Sequence, residues 1–237
     1  ILAGMDKNDS LVVISDHGFC QRPFHLVNLN EILRQAGLLT LRREGQGFSV
    51  RLKQTMKRHV IRLLSKLHLL DILLPRLKRI RGMDKYKKSD FLIDRETSVC
   101  FVDPLFSGKK PYVGLNFGDA IRRLPPEQRK IHSDRVIRTI RNHPDIPPPR
   151  WIKPAAEVYS GPWVDRLPDI CMEWPPEYGV EFDLFAPPLV QSATHYRLSG
   201  GHYGASTYGF YSPENHIRTI ASVLDVHDMI LSLLPEA

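Results

Sequence analysis

The chain has 237 residues, 42% of them apolar, and a net charge of +7. That is room for one large domain or two small ones with a packed core. Its three cysteines, Cys20, Cys100 and Cys171, are far apart and form no CxxC pair, which excludes a thiolate zinc site and a disulfide framework and points to a reducing compartment, the cytoplasm. No apolar run approaches the ~20 residues needed to span a bilayer.

The charge is uneven. Residues 42–88 hold fifteen Lys/Arg against Glu44, Asp71 and Asp84, a local excess of +12, so the rest of the chain is acidic by 5. The nineteen prolines cluster late, as in Pro147-Pro148-Pro149 and Pro187-Pro188. That half should be rich in ordered loops.

In chain order, residues 1–4 look like a helix end and residues 6–10 a turn. Leu11-Val12-Val13-Ile14 then reads as a strand buried on both faces, as in a parallel sheet. It runs into Ser15-Asp16-His17-Gly18. In open α/β sheets ligands gather beyond the carboxyl ends of strands, and a carboxylate beside an imidazole suits Zn²⁺ or a similar transition metal. The plainer alternative is that Asp16 caps the turn and His17 is merely exposed. Residues 28–39 form a short helix with Asn28 or Asn30 as N-cap and Gly37 as the glycine just past its end.

Residues 51–81 carry Leu52, Met56, Val60, Leu63 and Leu67 at helical spacing, with Arg51, Lys53, Lys57, Arg58, Arg62 and Lys66 mostly between them. Pro75 breaks the run, giving a helix–break–helix insertion. It could serve as a lid, a membrane-surface contact or an anion-attracting wall, or simply pack on the core by its leucines. Nearly lacking aromatics, it does not suit nucleic acid.

Strands are expected at 97–102 and 112–117, and a helix at about 126–142 opened by Pro125-Pro126. Further short strands fall within 151–159 and 167–172, separated by the turn Tyr159-Ser160-Gly161-Pro162. The glycine-rich loop Ser199-Gly200-Gly201-His202-Tyr203-Gly204 leaves a histidine free, and the alternating run 205–211 follows. A last helix over 225–234, capped by Asp225, turns Val226, Met229, Ile230 and Leu233 inward. His195, seven residues before His202, could reach the same site from its loop and otherwise reads as a surface histidine.

Val13-Ile14-Ser15-Asp16-His17-Gly18, later Gly200-Gly201-His202, then Asp225-Val226 with Ile230-Leu231 resembles, in that order, the alkaline phosphatase superfamily. The nearest likeness is to its type I phosphodiesterase/nucleotide pyrophosphatase family. Asn30 to Leu39, Ile93-Asp94-Arg95-Glu96-Thr97, Val113-Gly114-Leu115-Asn116 and Leu167-Pro168-Asp169-Ile170 agree with it. The family's usual Gly-Thr-His stands here as Gly200-Gly201-His202.

The resemblance implies a three-layer α/β sandwich around a mostly parallel sheet. Core segments 1–41 and 91–237 would flank a basic, lid-like helical insertion at 42–90. It also implies two divalent ions, Zn or Mn, with Asp16 and His17 on one and His202 on the other, and a small phosphate-ester substrate. The family's nucleophilic Thr/Ser and remaining metal ligands have no counterpart in this chain, which therefore resembles the C-terminal half of the enzyme and should be inactive alone. Phosphomonoesterase, phosphonate hydrolase and sulfatase activities share the same bimetal core. The competing class is non-catalytic: a scaffold whose basic helices bind an anionic surface or an acidic partner.

Overall fold

The computed structural model describes residues 4, 6, 11–69, 72, 89–106, 110–193, 195, 200–202, 207–211 and 225–231. The protein is mixed α/β with several small sheets. Its contacts divide it into two units, residues 1–20 with 200–237, and residues 21–199.

The larger unit contains β3 (His25–Asn28), α1 (Leu29–Gln35), α2 (Phe48–Lys66), β4 (Cys100–Val102), β5 (Tyr112–Phe117), α3 (Asp119–Arg122), α4 (Pro126–Arg141), β6 (Trp151–Pro154), β7 (Ile170–Glu173), β8 (Tyr178–Glu181) and β9 (Leu189–Gln191). One sheet runs β4-β5-β7-β6 and a second β8-β3-β9. Val27 of β3, Leu29, Ile32 and Leu33 of α1, Val136 and Ile140 of α4, and Val102, Leu115 and Ile170 of the four-stranded sheet share one buried core.

Local sequence explains the helix ends. Past α1, Gly37 adopts φ +67°. Its N–H donates to Arg34 O at 3.1 Å, and Leu38 N–H donates to Leu33 O at 2.8 Å. This is a Schellman closure, which needs a residue without a Cβ penalty in the left-handed region. Neither asparagine caps α1 through its side chain. Asn28 Nδ2 instead donates to Pro187 O, and Asn30 Oδ1 accepts the Val102 N–H at 2.9 Å, so both tie the helix to distant backbone. Proline opens α4 as expected.

Gly118 is required for space. A Cβ there would lie 1.9 Å from Ser98 O and 2.7 Å from Arg95 O. The approach fits because residues 93–97 form a tight turn in which Asp94 Oδ1 accepts the Glu96 and Thr97 N–H groups. The Thr97 side chain and these N–H groups hold the Asp94 carboxyl below its ordinary range.

Several expectations need correction. The mostly parallel sheet is not found: among the described residues β3–β8 is parallel, whereas β3–β9, β4–β5, β5–β7 and β6–β7 are antiparallel. Strands β3, β8 and β9 have too few residues for a period-2 pattern to register. The segment expected to be strand from 151 onward is a strand only to Pro154, where Ala155–Glu157 turns into a 3-10 helix. His195 is half-buried, its ring edge-on to Phe24 at 5.3 Å, rather than a plain surface group.

The basic segment leaves and rejoins the core at one point, where Leu41 and Ile93 form an isolated antiparallel bridge. Its first half is the 19-residue helix α2. The kink at Pro75 lies outside the described residues. The leucines do not pack on the core: Leu52, Met56, Val60, Leu63 and Leu67 are all exposed, while Gln54 and Ser65 are buried. The opposite face is the docked one: Val50 packs on the core there, and the polar groups meet acceptors that need donors. Arg58 Nη1 donates to Leu184 O at 3.0 Å and Nη2 to Phe185 O, and the Ser65 hydroxyl donates to Ala193 O.

The smaller unit holds β1 (Leu11–Ser15), β2 (Phe19–Gln21, whose last residue falls at the boundary), β10 (Gly200–His202), β11 (Thr207–Tyr211) and α5 (Asp225–Leu231). The helix end and turn expected over residues 1–10 lie outside the described residues, save Gly4 and Asp6. β1 pairs antiparallel with β11, from Leu11 opposite Tyr211 to Ser15 opposite Thr207. It is not buried on both faces: Val13 is 59% and Ile14 41% exposed. A two-stranded ribbon leaves strand faces uncovered, whatever the apolar content of the run. Val12 packs instead on Val226 and Met229 of α5, and Ile230, expected inward, is exposed. Leu233 lies outside the described residues.

Candidate functional site

The β1 run ends where the chemistry-bearing pair begins. Ser15 donates its hydroxyl to His17 O at 2.7 Å, closing the turn that carries Asp16 and His17 out of the strand. Asp16 is 85% and His17 34% exposed at the side chain. His17 Nε2 lies 3.6 Å from Asp16 Oδ1.

The other ring nitrogen decides the tautomer. His17 Nδ1 is 3.0 Å from Gly18 O, and a carbonyl can only accept, so Nδ1 carries the hydrogen and in the neutral ring Nε2 carries the lone pair. A backbone carbonyl that fixes one imidazole nitrogen is the usual support behind a metal-ligating histidine. Two donors each about 2.0–2.1 Å from one ion at a tetrahedral angle lie roughly 3.3 Å apart. The Asp16–His17 spacing is close to this, so the pair fits a divalent cation in donor chemistry and in distance.

The second predicted element lies in the same unit. Strand β10, Gly200-Gly201-His202, pairs with β2, which starts two residues after His17. Gly200 lies against Phe19: a Cβ there would stand 3.3 Å from the Phe19 ring, so a side chain would crowd the pairing. Asp16, His17 and His202 thus belong to one unit, although about 185 residues separate the first two from the third. The His202 side chain lies outside the described residues. Among the described residues no group of three or more His, Cys, Asp or Glu gathers in a metal-holding arrangement.

The mid-chain motifs do structural work. Asp169 Oδ2 accepts the Phe117 N–H at 2.8 Å and Arg122 Nη2 at 2.9 Å, and Arg122 also reaches Asn116 Oδ1 at 3.1 Å. This locks the end of β5 to the loop before β7 and borders a cavity of about 610 Å³ lined by charges of both signs, Arg122, Arg129 and Lys130 with Glu157, Asp165 and Asp169. Arg129 and Lys130 carried no sequence signal for this, since they belong to an ordinary charged helix face. Cys100 and Cys171 are buried free thiols pushed up by burial, which makes them poor nucleophiles.

The fold and the site together define a mixed α/β protein with a carboxylate–imidazole pair at the exit of a strand. No protein-family model, curated protein or solved structure matches the chain.

Proposed function

We propose that this chain is the C-terminal portion of a divalent-metal-dependent phosphoric ester hydrolase of the phosphodiesterase/nucleotide pyrophosphatase type. The motif order that resembles this family supports the reading. The observation that carries it is the pairing of β10 with β2, which brings the strand of His202 beside the segment following Asp16-His17. The finer architecture, a three-layer sandwich, belongs to the same proposal.

Asp16 and His17 would hold one ion and His202 a second. Zn²⁺ or Mn²⁺ bound there would polarise phosphoryl oxygens and lower the pKa of a hydroxyl nucleophile. The residues of the chain supply position. The Gly18 carbonyl fixes the His17 ring, and Asp16 sets its carboxylate 3.6 Å from the other ring nitrogen. On this reading the family's Thr/Ser nucleophile has no counterpart among these residues, and the chain tested alone should not hydrolyse a phosphate diester.

Paramagnetic Mn²⁺ titrated into the full chain should broaden the amide resonances of residues 16–19 and 200–202 together. His17→Ala should weaken the effect by at least about tenfold. Broadening confined to other residues, or unchanged by His17→Ala, overturns the site. Metal-dependent hydrolysis of bis-(p-nitrophenyl) phosphate that His17→Ala abolishes overturns the assignment of the nucleophile elsewhere.

A further inference from the structure

Helix α2 presents an apolar stripe, interrupted by Ser49 and His59, on an exposed face. Phe48, Leu52, Met56, Val60, Leu63 and Leu67 are 79, 47, 58, 51, 58 and 56% exposed. At 100° per residue these six fall within one third of the helix circumference. The docked residues Gln54, Arg58 and Ser65 fall on the far side. Among the described residues of its unit none covers the stripe, and six large apolar groups in a row are more than the scattered exposure of an ordinary surface.

Charge says what covers it. Lys53 borders the stripe on one side, and Arg51, Arg62 and Lys66 on the other, where long aliphatic stems can lie along an apolar surface with their charges at its rim. The helix contains no Asp or Glu, and the segment around it carries the +12 excess. A second copy docked on this face would set like charges against each other with no acid on the helix to pair them. Nucleic acid would engage the bases but leave the apolar centre unused. An anionic bilayer surface satisfies both: acyl chains receive the stripe and headgroups the flanking bases. Spanning is excluded for this element, since no described helix is long and apolar enough to cross a membrane.

We propose that α2 is an interfacial helix that lies in the plane of an anionic lipid surface, buries the Phe48–Leu67 stripe among the acyl chains and seats Arg51, Lys53, Arg62 and Lys66 at the headgroups. The bonds of Arg58 to Leu184 and Phe185 and of Ser65 to Ala193 hold the helix to the protein by its other face, so membrane contact needs no unfolding. The inference is independent of the metal site.

The test is co-sedimentation of the full chain with vesicles of phosphatidylcholine alone and of phosphatidylcholine with phosphatidylserine. Partitioning should be at least about tenfold stronger on the anionic vesicles. A variant with Leu52→Ser, Val60→Ser and Leu63→Ser should lose at least about tenfold while keeping its circular dichroism and thermal melt, because these side chains touch solvent rather than the core. Arg51→Gln, Lys53→Gln and Lys66→Gln should each cost about fivefold on anionic vesicles and little on neutral ones. Equal partitioning on both vesicle types, no partitioning, or binding unchanged by the triple serine variant overturns the proposal. So does a chain that is dimeric in solution, does not sediment with vesicles and becomes monomeric in the serine variant, since the face then belongs to a second copy.

Discussion

Helices α1 and α2 solve the same problem in opposite ways. α1 buries its apolar residues, with Leu29, Ile32 and Leu33 all inaccessible. α2 docks through Gln54, Arg58 and Ser65 with Val50 on the core, and leaves its Phe48–Leu67 stripe outside. The two meet at one loop, residues 184–186. Glu31 of α1 accepts the Phe185 N–H at 2.8 Å, while Arg58 of α2 donates to the carbonyls of Leu184 and Phe185. Arg34 grips Glu31 through both carboxylate oxygens at 2.7 and 2.8 Å, and its guanidinium lies over the Phe185 ring. Phe185 itself sits at φ +58°, a conformation costly for a non-glycine residue that the bonds from both helices hold in place. A helix face is thus chosen by the hydrogen-bonding needs of what lies beneath it as much as by apolar content.

Removing the shared carboxylate should break the comparison most severely. Glu31 is 2% exposed, so Glu31→Ala leaves Arg34 and the Phe185 N–H without their acceptor and should cost about 3–5 kcal/mol in urea denaturation. Burial alone would push the Glu31 carboxyl up, but Arg34, the Phe185 N–H and Gln35 outweigh it and hold the group below its ordinary 4.5. The folded protein therefore binds this proton less readily than the unfolded chain. The stabilisation is present above the ordinary value and fades as pH falls through and below it, so wild-type stability should drop below about pH 5 more steeply than that of Glu31→Gln.

The apolar faces give the sharpest contrast between the helices. Ile32→Ala in α1 opens a cavity in a closed core and should cost about 3 kcal/mol. Val60→Ala in α2 removes a solvent-facing group and should stay within about 0.5 kcal/mol. Similar losses from the two would mean that the stripe of α2 is covered in solution. Arg58→Ala falls between them, at about 2 kcal/mol, because the Leu184 and Phe185 carbonyls lose a charged donor. Hydrogen exchange in this variant should accelerate along α2 before it does in α1.

The Asp16-His17 turn was legible because a β-branched run predicts a strand and the Ser-Asp-His-Gly that follows is turn-forming, as the Ser15 hydroxyl bond to His17 O shows. The glycine past α1 was legible for the same reason, since φ +67° is costly for other residues. The sequence by itself determined these local features, the helical period of α2, the proline start of α4 and the confinement of positive charge to one segment. Tertiary structure decided which face of α2 turns inward, because periodicity defines two faces but says nothing of the acceptors at Leu184, Phe185 and Ala193 that select between them. It also decided that β1 stands in a thin antiparallel ribbon rather than a buried parallel sheet, since the apolar pattern of a strand is the same whether or not neighbours arrive to cover it. The pairing that draws Gly200-Gly201-His202 toward Asp16-His17 is likewise tertiary: hydrogen bonds between strands so far apart in sequence leave no trace in either segment alone.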